Sequence, residues 1–507
     1  MIFTPVSELK DKASQNFFRE QIRVYIRLIE VYCEKHQREF VADDVNCNIE
    51  EFIKIGVISG VADVTELRKL LSDDFSLFVK AVNYSVEHKA EMKGLLDRLS
   101  NYERRIIQEQ ASKKHNLTLV DFFCGAGGLS LGFLQEGFNV KLANDIEDVC
   151  IQTYKYNHPE LPSEKLIQGD IKQIVDHIEE YINEEVDIVV GGPPCQGFSE
   201  ANRQRVIDDP RNKLYKYFVQ AVEKIAPKFV VMENVKGMLK VADQVVEDYE
   251  RLRVTKNGQT FSYKVRYQII NSQNFSVAQS RERLIYIAIR TDVMENKKIS
   301  PEMIFEQISE NCKRNKTFVL QNALDDIKPL DAPRIKNMNE IDSELTGKKI
   351  DVNLCEEYEN EYLSLINMGR SIPYVFNHKA RFVSDVNYEI YKRLNPGDDA
   401  TDEKIADIMP YAHRNHCFKD KYYKLHADRP CRTITAHLRM DCHSHIHPSQ
   451  IRALTPREAA RVQSFPDDYL FWGAYLKTYM QIGNAVPPMM ARGIASVIKR
   501  YLRDDRE

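Results

Sequence analysis

The chain has 507 residues, 43% of them hydrophobic and 29% charged, which is typical of a globular protein long enough for more than one domain. Its formal net charge of -4 excludes a polycation, so any surface for nucleic acid has to be a local patch. No apolar run reaches membrane-spanning length, the start lacks the features of a signal peptide, and the ten cysteines include no C-x-x-C pair. We therefore expect a cytoplasmic protein with free thiols and no zinc ribbon.

Residues 1 to 112 are predicted to be helical. Apolar residues recur at three- and four-residue steps in FFREQIRVYIRLIEVYCEK, and TELRKLL near Thr65 continues the pattern. The polar run QEQASKKHN, from Gln108 to Asn116, is typical of a linker. The block is either a module that binds DNA or a partner, or a helical extension that packs on the main domain. The lack of a basic stripe or a recognisable helix-turn-helix favours the extension.

From Leu117 to about residue 295, short apolar strands alternate with helical patterns. The predicted strands are LTLVDFF, NVKLAND, EKLIQGD, VDIVVGG and KFVVMEN. This alternation indicates βαβ units, and so an α/β domain with a mostly parallel sheet and helices on both faces. RYQIINS and RERLIYIAIR follow with little helix between them, which predicts an antiparallel edge pair.

A polar, turn-rich segment interrupts this pattern from residue 296 to 427, and we expect it to form a separate, smaller domain. From residue 428 the apolar patterning returns and continues into the helical pattern PPMMARGIASVIKRYL. We therefore expect residues 428–507 to rejoin the α/β domain.

The first predicted strand ends in DFFCGAGG, at the position where open α/β sheets bind ligands beyond the carboxyl ends of their strands. Gly125 and Gly127 match the first two positions of the dinucleotide fingerprint G-x-G-x-x-G, but Ser130 stands at the last. A nicotinamide site is therefore disfavoured. The glycines either let another ligand approach the backbone closely or form a turn without a ligand.

Acidic residues end the next two predicted strands. Asp145 in LANDIED stands where a carboxylate can bind a ribose diol, and Asp170 in IQGDI where one can accept from an adenine amino group. Each residue on its own is better explained as a helix N-cap. Together, in this order, they indicate a cofactor that carries a nucleoside.

The fourth predicted strand leads into GGPPCQGFS, which holds a single cysteine, Cys195. The tandem prolines fix two φ angles and remove two amide donors, so the loop is rigid and leaves the thiol at the mouth of the sheet. A thiolate at this position can act as a nucleophile. The alternative is a small buried hydrophobe, which the polar continuation QGFSEANRQR disfavours.

Charged residues mark two further strands. Glu233 in MENV ends the fifth strand, where it can give a proton or hydrogen bond to a substrate, or can be a solvated strand-end charge. Arg281 and Arg283 in QSRER lie two residues apart, and so on one face of a late strand. They can bind a carbonyl or phosphate oxygen; the alternative is an ordinary exposed edge.

These motifs, in this order, resemble those of the cytosine-C5 DNA methyltransferase family. The resemblance spans residues 117 to about 290 and 428 to 498, and rests on DFFCGAGGLSLGF, GGPPCQGFS, ENV, QSRER, RPCRTITA with LTPREAARVQSFPDDY, and QIGNAVPP. It implies a Rossmann-like, S-adenosylmethionine-dependent methyltransferase sheet. Residues 117–295 and 428–507 would then form the catalytic domain, residues 296–427 an inserted target-recognition domain, and residues 1–112 an N-terminal helical extension.

The resemblance also implies the cofactor site. Phe123 would stack on the adenine of S-adenosylmethionine, Asp145 would hold the ribose, and Asp170 would meet the adenine amino group. The family often has glutamate at position 145, an aromatic residue at 146 and serine at 485, where this chain has Asp145, Ile146 and Ala485. The predicted cofactor residues are Phe123, Gly125, Gly127, Gly128, Asp145, Ile146, Asp170, Ile171, Pro193, Asn484 and Ala485.

The same resemblance implies a covalent mechanism on duplex DNA. The Cys195 thiolate adds to C6 of a flipped-out cytosine, Glu233 assists at N3, and Arg283, together with Arg281, holds O2. The loop after Cys195 would contact phosphates, which position DNA without reading its sequence. The predicted DNA-binding residues are Gln196, Ser199, Arg203, Arg205 and Arg211. In the inserted domain, Arg414, Asn415 and Lys419 are candidate base readers or else scaffold surface.

We expect a monomeric modification enzyme of a restriction-modification system, with a cognate restriction endonuclease as its functional partner. The alternatives are a cytosine-5 methyltransferase that acts on transfer RNA and a non-catalytic DNA-binding regulator. The presence of both Cys195 and Glu233 disfavours the regulator.

DCHSHIH spaces Cys442 and three histidines like metal ligands, but no second half-site accompanies it. We expect an alternating strand there, and no metal.

Overall fold

The computed structural model describes residues 3–42, 46–92, 117–194, 213–256, 258–336, 341–353, 359–410 and 421–503. Several predicted residues lie outside these ranges, namely Cys195, Gln196, Ser199, Arg203, Arg205, Arg211, Arg414, Asn415 and Lys419. The linker predicted from Gln108 to Asn116 lies outside them as well. Within the described ranges, no helix is both long and apolar enough to cross a membrane.

The described part of the N-terminal block is helical. Its helices are α1 (Lys12–Lys35), α2 (Ile49–Ile55), α3 (Val64–Leu71) and α4 (Asp74–Glu87). Asp11 starts α1 by accepting a hydrogen bond from the Ser14 N–H at 2.8 Å. The core of the block includes Phe376 and Trp472 from distant parts of the chain, and the Phe17 and Trp472 rings lie 4.9 Å apart. These contacts agree with a helical extension that packs on the rest of the protein.

A mixed sheet lies at the centre of the described residues. The strands up to residue 290 are β1 (Leu117–Phe122), β2 (Phe138–Asp145), β3 (Leu166–Gln168), β4 (Ile188–Gly191), β5 (Phe229–Asn234), β6 (Val254–Lys256), β7 (Gln259–Phe261), β8 (Tyr263–Asn271) and β9 (Glu282–Arg290). The sheet order is β3-β2-β1-β4-β5-β9-β8, while β6 and β7 pair separately. Strands β1 to β5 run parallel, and β9 is antiparallel to both β5 and β8. The predicted antiparallel edge pair is confirmed.

Helices cover both faces of this sheet. They are α5 (Gly128–Gln135), α6 (Asp148–Asn157), α7 (Ile171–Asp176), α8 (Ile178–Tyr181), α9 (Lys213–Ile225) and α10 (Ala242–Glu250). Leu119 belongs to the core on one face and Val120 to the core on the other, as the two-residue period of a strand requires. The pattern IKQIVDHIEEYI forms two short helices rather than one, because His177 leaves the helical region with a φ of -123°. The α/β fold is confirmed.

The segment after β9 contains helices and one strand pair. These elements are α11 (Thr291–Lys297), α12 (Pro301–Cys312), α13 (Leu320–Leu324), β10 (Gly347–Val352), α14 (Glu361–Ile366), β11 (Tyr374–Lys379) and α15 (Asp385–Arg393). Ile304 and Ile308 of α12 lie in a core of the central sheet, whereas Ile390 and Tyr422 lie in a small core of their own. The boundary at residue 296 stays a prediction.

The C-terminal segment returns to the central sheet. Its helices are α16 (Pro456–Val462), α17 (Tyr475–Asn484) and α18 (Pro488–Leu502). Helix α18 packs closely on α5, since a Cβ added to Gly132 would lie 2.5 Å from the Cβ of Ala491. This packing brings the turn between α17 and α18 next to the glycine loop that follows β1.

Candidate active site

The loop after β1 is tightly bent and tightly packed. Phe123, Gly125 and Gly127 all have positive φ angles, of 56°, 54° and 81°. A Cβ on Gly128 would lie 2.4 Å from the carbonyl oxygen of Val486, so a larger residue cannot occupy this position without a shift of backbone. The predicted glycine residues are therefore brought against the predicted turn at Asn484 and Ala485.

Asp145 connects this loop to the end of β2. Its Oδ2 accepts a hydrogen bond from the Gly125 N–H at 2.9 Å, and its Oδ1 accepts one from the Glu147 N–H at 2.8 Å. Burial raises the pKa of the Asp145 carboxyl, and these two backbone donors oppose that rise. The next residue, Ile146, exposes 67% of its surface.

Asp170 and Ile171 begin α7 at the end of β3. Asp170 is exposed and accepts from the Lys172 N–H at 2.9 Å, whereas Ile171 is 1% exposed and belongs to the core. The interpretation of Asp170 as a helix N-cap is confirmed. Its proposed contact with an adenine amino group stays a prediction, because a carboxylate can accept further hydrogen bonds.

A buried polar network lies beneath the glycine loop, and sequence reasoning missed it. The Ser130 hydroxyl donates to Asp121 Oδ2 at 2.5 Å, and the Tyr154 hydroxyl donates to Ser130 at 2.8 Å. Among the described residues, Asp121 Oδ1 has no hydrogen-bond partner. Burial, reinforced by the Asp145 charge and opposed by the Ser130 hydrogen bond, raises the pKa of Asp121 to about 7. The signal was present in the sequence as an acidic residue inside an apolar strand.

We expect Asp121→Asn to gain stability relative to the wild type as the pH rises from 4 to 8. The folded state holds the Asp121 proton up to a pKa of about 7, whereas the unfolded chain releases it near 3.8. The contribution of Asp121 to the free energy of unfolding therefore falls across this window and levels off above it, by at most about 4 kcal/mol in total. Urea unfolding of both proteins at several pH values measures the difference; a difference that stays constant with pH would contradict the assignment.

Glu233 and Arg283 form an ion pair at the end of the sheet. Arg283 Nε lies 2.8 Å from Glu233 Oε1, and the two side chains are only 13% and 12% exposed. A Cβ on Gly192 would lie 3.1 Å from Glu233 Oε2, so this carboxylate faces the start of the GGPPCQGFS loop. Both predicted residues are thus brought together, largely buried, at the carboxyl end of β5.

The backbone just before Cys195 is held in place by Asn234. The Asn234 side chain, which is 4% exposed, donates to the carbonyl oxygen of Pro193 at 3.0 Å. Pro193 itself is buried, and Pro194 is the last described residue before Cys195. Cys195 itself lies outside the described residues, and the chain that leads to it is fixed beside Glu233.

Arg281 does not lie at an exposed edge, so that alternative is wrong: the residue is 1% exposed. Its terminal nitrogens donate to the carbonyl oxygens of Ile434 at 2.6 Å and Gly483 at 2.9 Å. Its Nε has no hydrogen-bond partner among the described residues. The side chain thus joins distant segments, and its predicted contact with pyrimidine O2 stays a prediction.

The histidine-rich segment DCHSHIH is not an alternating strand, so this prediction is wrong. His443–His445 form a 3₁₀ turn. His443 bonds to the Tyr391 hydroxyl at 2.6 Å and stacks on Tyr422, while the Nδ1 of His447 accepts from the Ser449 N–H at 3.2 Å. Nowhere in the described ranges do three His, Cys, Asp or Glu side chains come together as a metal site.

Comparison with known proteins agrees with this geometry. The chain matches the family model of the C-5 cytosine-specific DNA methylase over residues 117–500. It is 32% identical to the type II methyltransferase M1.HphI of Haemophilus parahaemolyticus over 394 residues, which cover 76% of this chain and 87% of that protein. It is 31% identical to M.DdeI of Desulfomicrobium norvegicum over 76% of this chain and 90% of that protein.

Among solved structures, the fold is similar to that of a prophage-encoded DNA modification methyltransferase of E. coli. The TM-score is 0.58 and the sequence identity 24%, over 76% of this chain and 99% of that one. The sheet, the recessed Glu233–Arg283 pair and the family match lead to one conclusion: the chain belongs to the C-5 cytosine-specific DNA methylase family.

Proposed function

We propose that this enzyme transfers the methyl group of S-adenosylmethionine to C5 of a cytosine flipped out of duplex DNA. The observation that carries the proposal is the Glu233–Arg283 ion pair, which lies beside the loop that leads to Cys195. A base inside a duplex cannot reach side chains that are only 12–13% exposed, so the target nucleotide has to leave the helix.

The residues around the glycine loop fit the methyl donor. A Cβ on Gly125 would meet no atom within 4 Å, so this part of the loop borders open space. The exposed apolar side chain of Ile146 follows Asp145 at the same edge, where a bound adenine would cover it. Phe123, Asp145 and Asp170 would then hold the adenosine portion. Bound there, S-adenosylmethionine supplies an electrophilic methyl group on a sulfonium.

The chemistry assigned to this chain begins at Cys195. Its thiolate forms a bond to C6, and electron density moves from the C5–C6 double bond towards N3, where Glu233 donates a proton or a hydrogen bond. The new C4–C5 double bond makes C5 nucleophilic, and C5 would form a bond to the methyl carbon as the bond between that carbon and the sulfonium sulfur breaks, so that the donor would leave as a neutral thioether. A base then removes the C5 proton, and the sulfur leaves C6 with its electron pair. Covalent catalysis thereby replaces one difficult step with easier ones.

Arg283 has two tasks in this scheme. Its Nε fixes the orientation of the Glu233 carboxylate at 2.8 Å, and Nη1 donates to the Glu282 carbonyl at 2.7 Å. The remaining N–H groups of the guanidinium fork are then directed by these two bonds, and one of them holds pyrimidine O2. Glu233 and Arg283 thus recognise adjacent atoms of the same ring edge.

The biological role that we propose is modification in a restriction-modification system. The relatives M1.HphI and M.DdeI are named type II methyltransferases, which supports this role. Duplex DNA is then the substrate, a restriction endonuclease with the same recognition sequence is the functional partner, and the cytoplasm is the site of action. The loop after Cys195 carries arginines at positions 203, 205 and 211, which would contact phosphates of the DNA.

The decisive test is a covalent adduct through Cys195. Bisulfite sequencing of DNA from an expressing host first identifies the methylated sequence. A duplex with 5-fluorocytosine at that site should trap the wild type in an adduct stable to denaturant, because fluorine cannot leave as the C5 proton does. We expect Cys195→Ser to abolish the adduct and Cys47→Ser to retain it. Adduct formation by Cys195→Ser, or trapping on transfer RNA in place of duplex DNA, would contradict the proposal.

A further inference from the structure

We propose that Gln463 is a positioning residue that holds the turn between α17 and α18 in place and so sets the affinity for S-adenosylmethionine. The inference rests on the proposed function, because it concerns the same cofactor site. Gln463 follows α16 and is 0% exposed. Its Nε2 donates to the carbonyl oxygens of Ile482 at 2.7 Å and Ala485 at 3.3 Å.

The Gln463 amide is one link in a directional chain of hydrogen bonds. The Ile434 N–H donates to Gln279 Oε1 at 2.7 Å, and Gln279 Nε2 donates to Gln463 Oε1 at 2.7 Å. Backbone groups terminate the chain at both ends, so the orientation of each amide is determined. A side chain with one donor end and one acceptor end is required at both positions. Methionine offers neither, and glutamate would direct oxygen at the carbonyls of Ile482 and Ala485.

Arg281 makes a second connection between the segments that this series of hydrogen bonds joins. The guanidinium of Arg281 donates to Ile434 and Gly483, so it spans the same two segments as the Gln279–Gln463 pair. These segments cross at very short range, since a Cβ on Gly483 would lie 2.2 Å from Ala436 N. The Arg281 bonds and the Gln279–Gln463 bond together hold the turn against the segment that leads into β9, the strand that carries Arg283.

The turn held in this way forms a wall of the cofactor site. Asn484 is exposed and Ala485 is 8% exposed, and a Cβ on Gly128 would lie 3.3 Å from the Ala485 Cβ and 2.4 Å from the Val486 carbonyl oxygen. Loss of the Gln463 bonds takes a donor from both carbonyls; Ile482 keeps the Ala485 N–H at 3.3 Å, whereas the Ala485 carbonyl loses the Gln463 donor, so the turn can move relative to the glycine loop. The ground-state affinity for the cofactor should fall, while the Glu233–Arg283 pair remains in place.

The experiment compares Gln463→Met with Gln481→Met in the full-length protein. Gln481 is a matched control, because it is 1% exposed, lies on α17 and donates to the Trp472 carbonyl at 2.8 Å, away from the turn. We expect Gln463→Met to raise the Kd for S-adenosylmethionine about tenfold in calorimetry. The kcat at saturating cofactor should stay within about twofold, and Gln481→Met should leave the Kd unchanged even where it lowers the melting temperature.

A double substitution tests the chain as a unit. Gln279→Met combined with Gln463→Met should raise the Kd no further than Gln463→Met alone, because both remove the same link. An unchanged Kd in Gln463→Met, an equal rise in Gln481→Met, or additive effects in the double variant would overturn the inference. Should Gln463→Met fail to fold, Gln279→Met carries the same comparison. A wild type that binds no S-adenosylmethionine would instead refute the proposed function.

Discussion

Replacement of Glu233 by glutamine is expected to lower kcat for methyl transfer by about 10²- to 10⁴-fold, the usual contribution of a positioned acid or base. The carboxylate lies 2.8 Å from Arg283 and faces the loop that leads to Cys195. Glutamine keeps the shape of the side chain, but it cannot deliver a proton to N3 when the thiolate adds to C6. Binding of S-adenosylmethionine should change little, because Glu233 is not among the residues predicted to hold it.

Turnover with labelled methyl donor and calorimetric binding of the donor measure the two parts of this expectation. Glu282→Gln is the matched control. Glu282 precedes Arg283 in the chain, but its carboxylate pairs with Lys236 at the surface and the side chain is 48% exposed. It should retain wild-type turnover within about twofold. Turnover above a tenth of the wild-type value in Glu233→Gln would remove this residue from the mechanism.

The second large effect is expected on stability, from Glu458→Gln. Arg452 donates to both carboxylate oxygens of Glu458, at 2.7 and 2.6 Å, and both side chains are 0% exposed. Burial alone would raise the pKa of Glu458, but the charge and hydrogen bonds of Arg452 hold it well below its usual range. Removal of one partner leaves the other charge buried and unpaired, which costs about 3–5 kcal/mol.

Urea unfolding of wild type and Glu458→Gln at neutral pH measures this loss. Glu247→Gln is the control, because its partner Arg251 is 71% exposed and the pair contributes little, so the midpoint should not move. The Glu458 contribution is complete above the unfolded pKa of 4.5 and decreases as the pH falls below it. The difference in the free energy of unfolding between wild type and Glu458→Gln should therefore become smaller in acid. A gap below about 1 kcal/mol at neutral pH would show that Arg452 finds other partners.

Several features of this protein could be predicted from local patterns in the sequence. The alternation of apolar strands and helices predicted the parallel sheet, because each strand buries both faces under helices. Glycines at positions that need positive φ predicted the tight loop after β1, whereas the cofactor site indicated by these glycines and by the acids at the strand ends stays a prediction. The spacing of RERLIYIAIR and RYQIINS predicted the antiparallel edge. Each of these signals depends on neighbours in the chain.

The tertiary structure alone decided which distant groups meet. Arg281 and Arg283 share a face by spacing, yet one joins Ile434 to Gly483 and the other pairs with Glu233. The bond between Gln279 and Gln463 links residues 184 positions apart. No local pattern encodes such partners, because burial leaves a polar group without water and it takes whichever partner the packed chain places within reach.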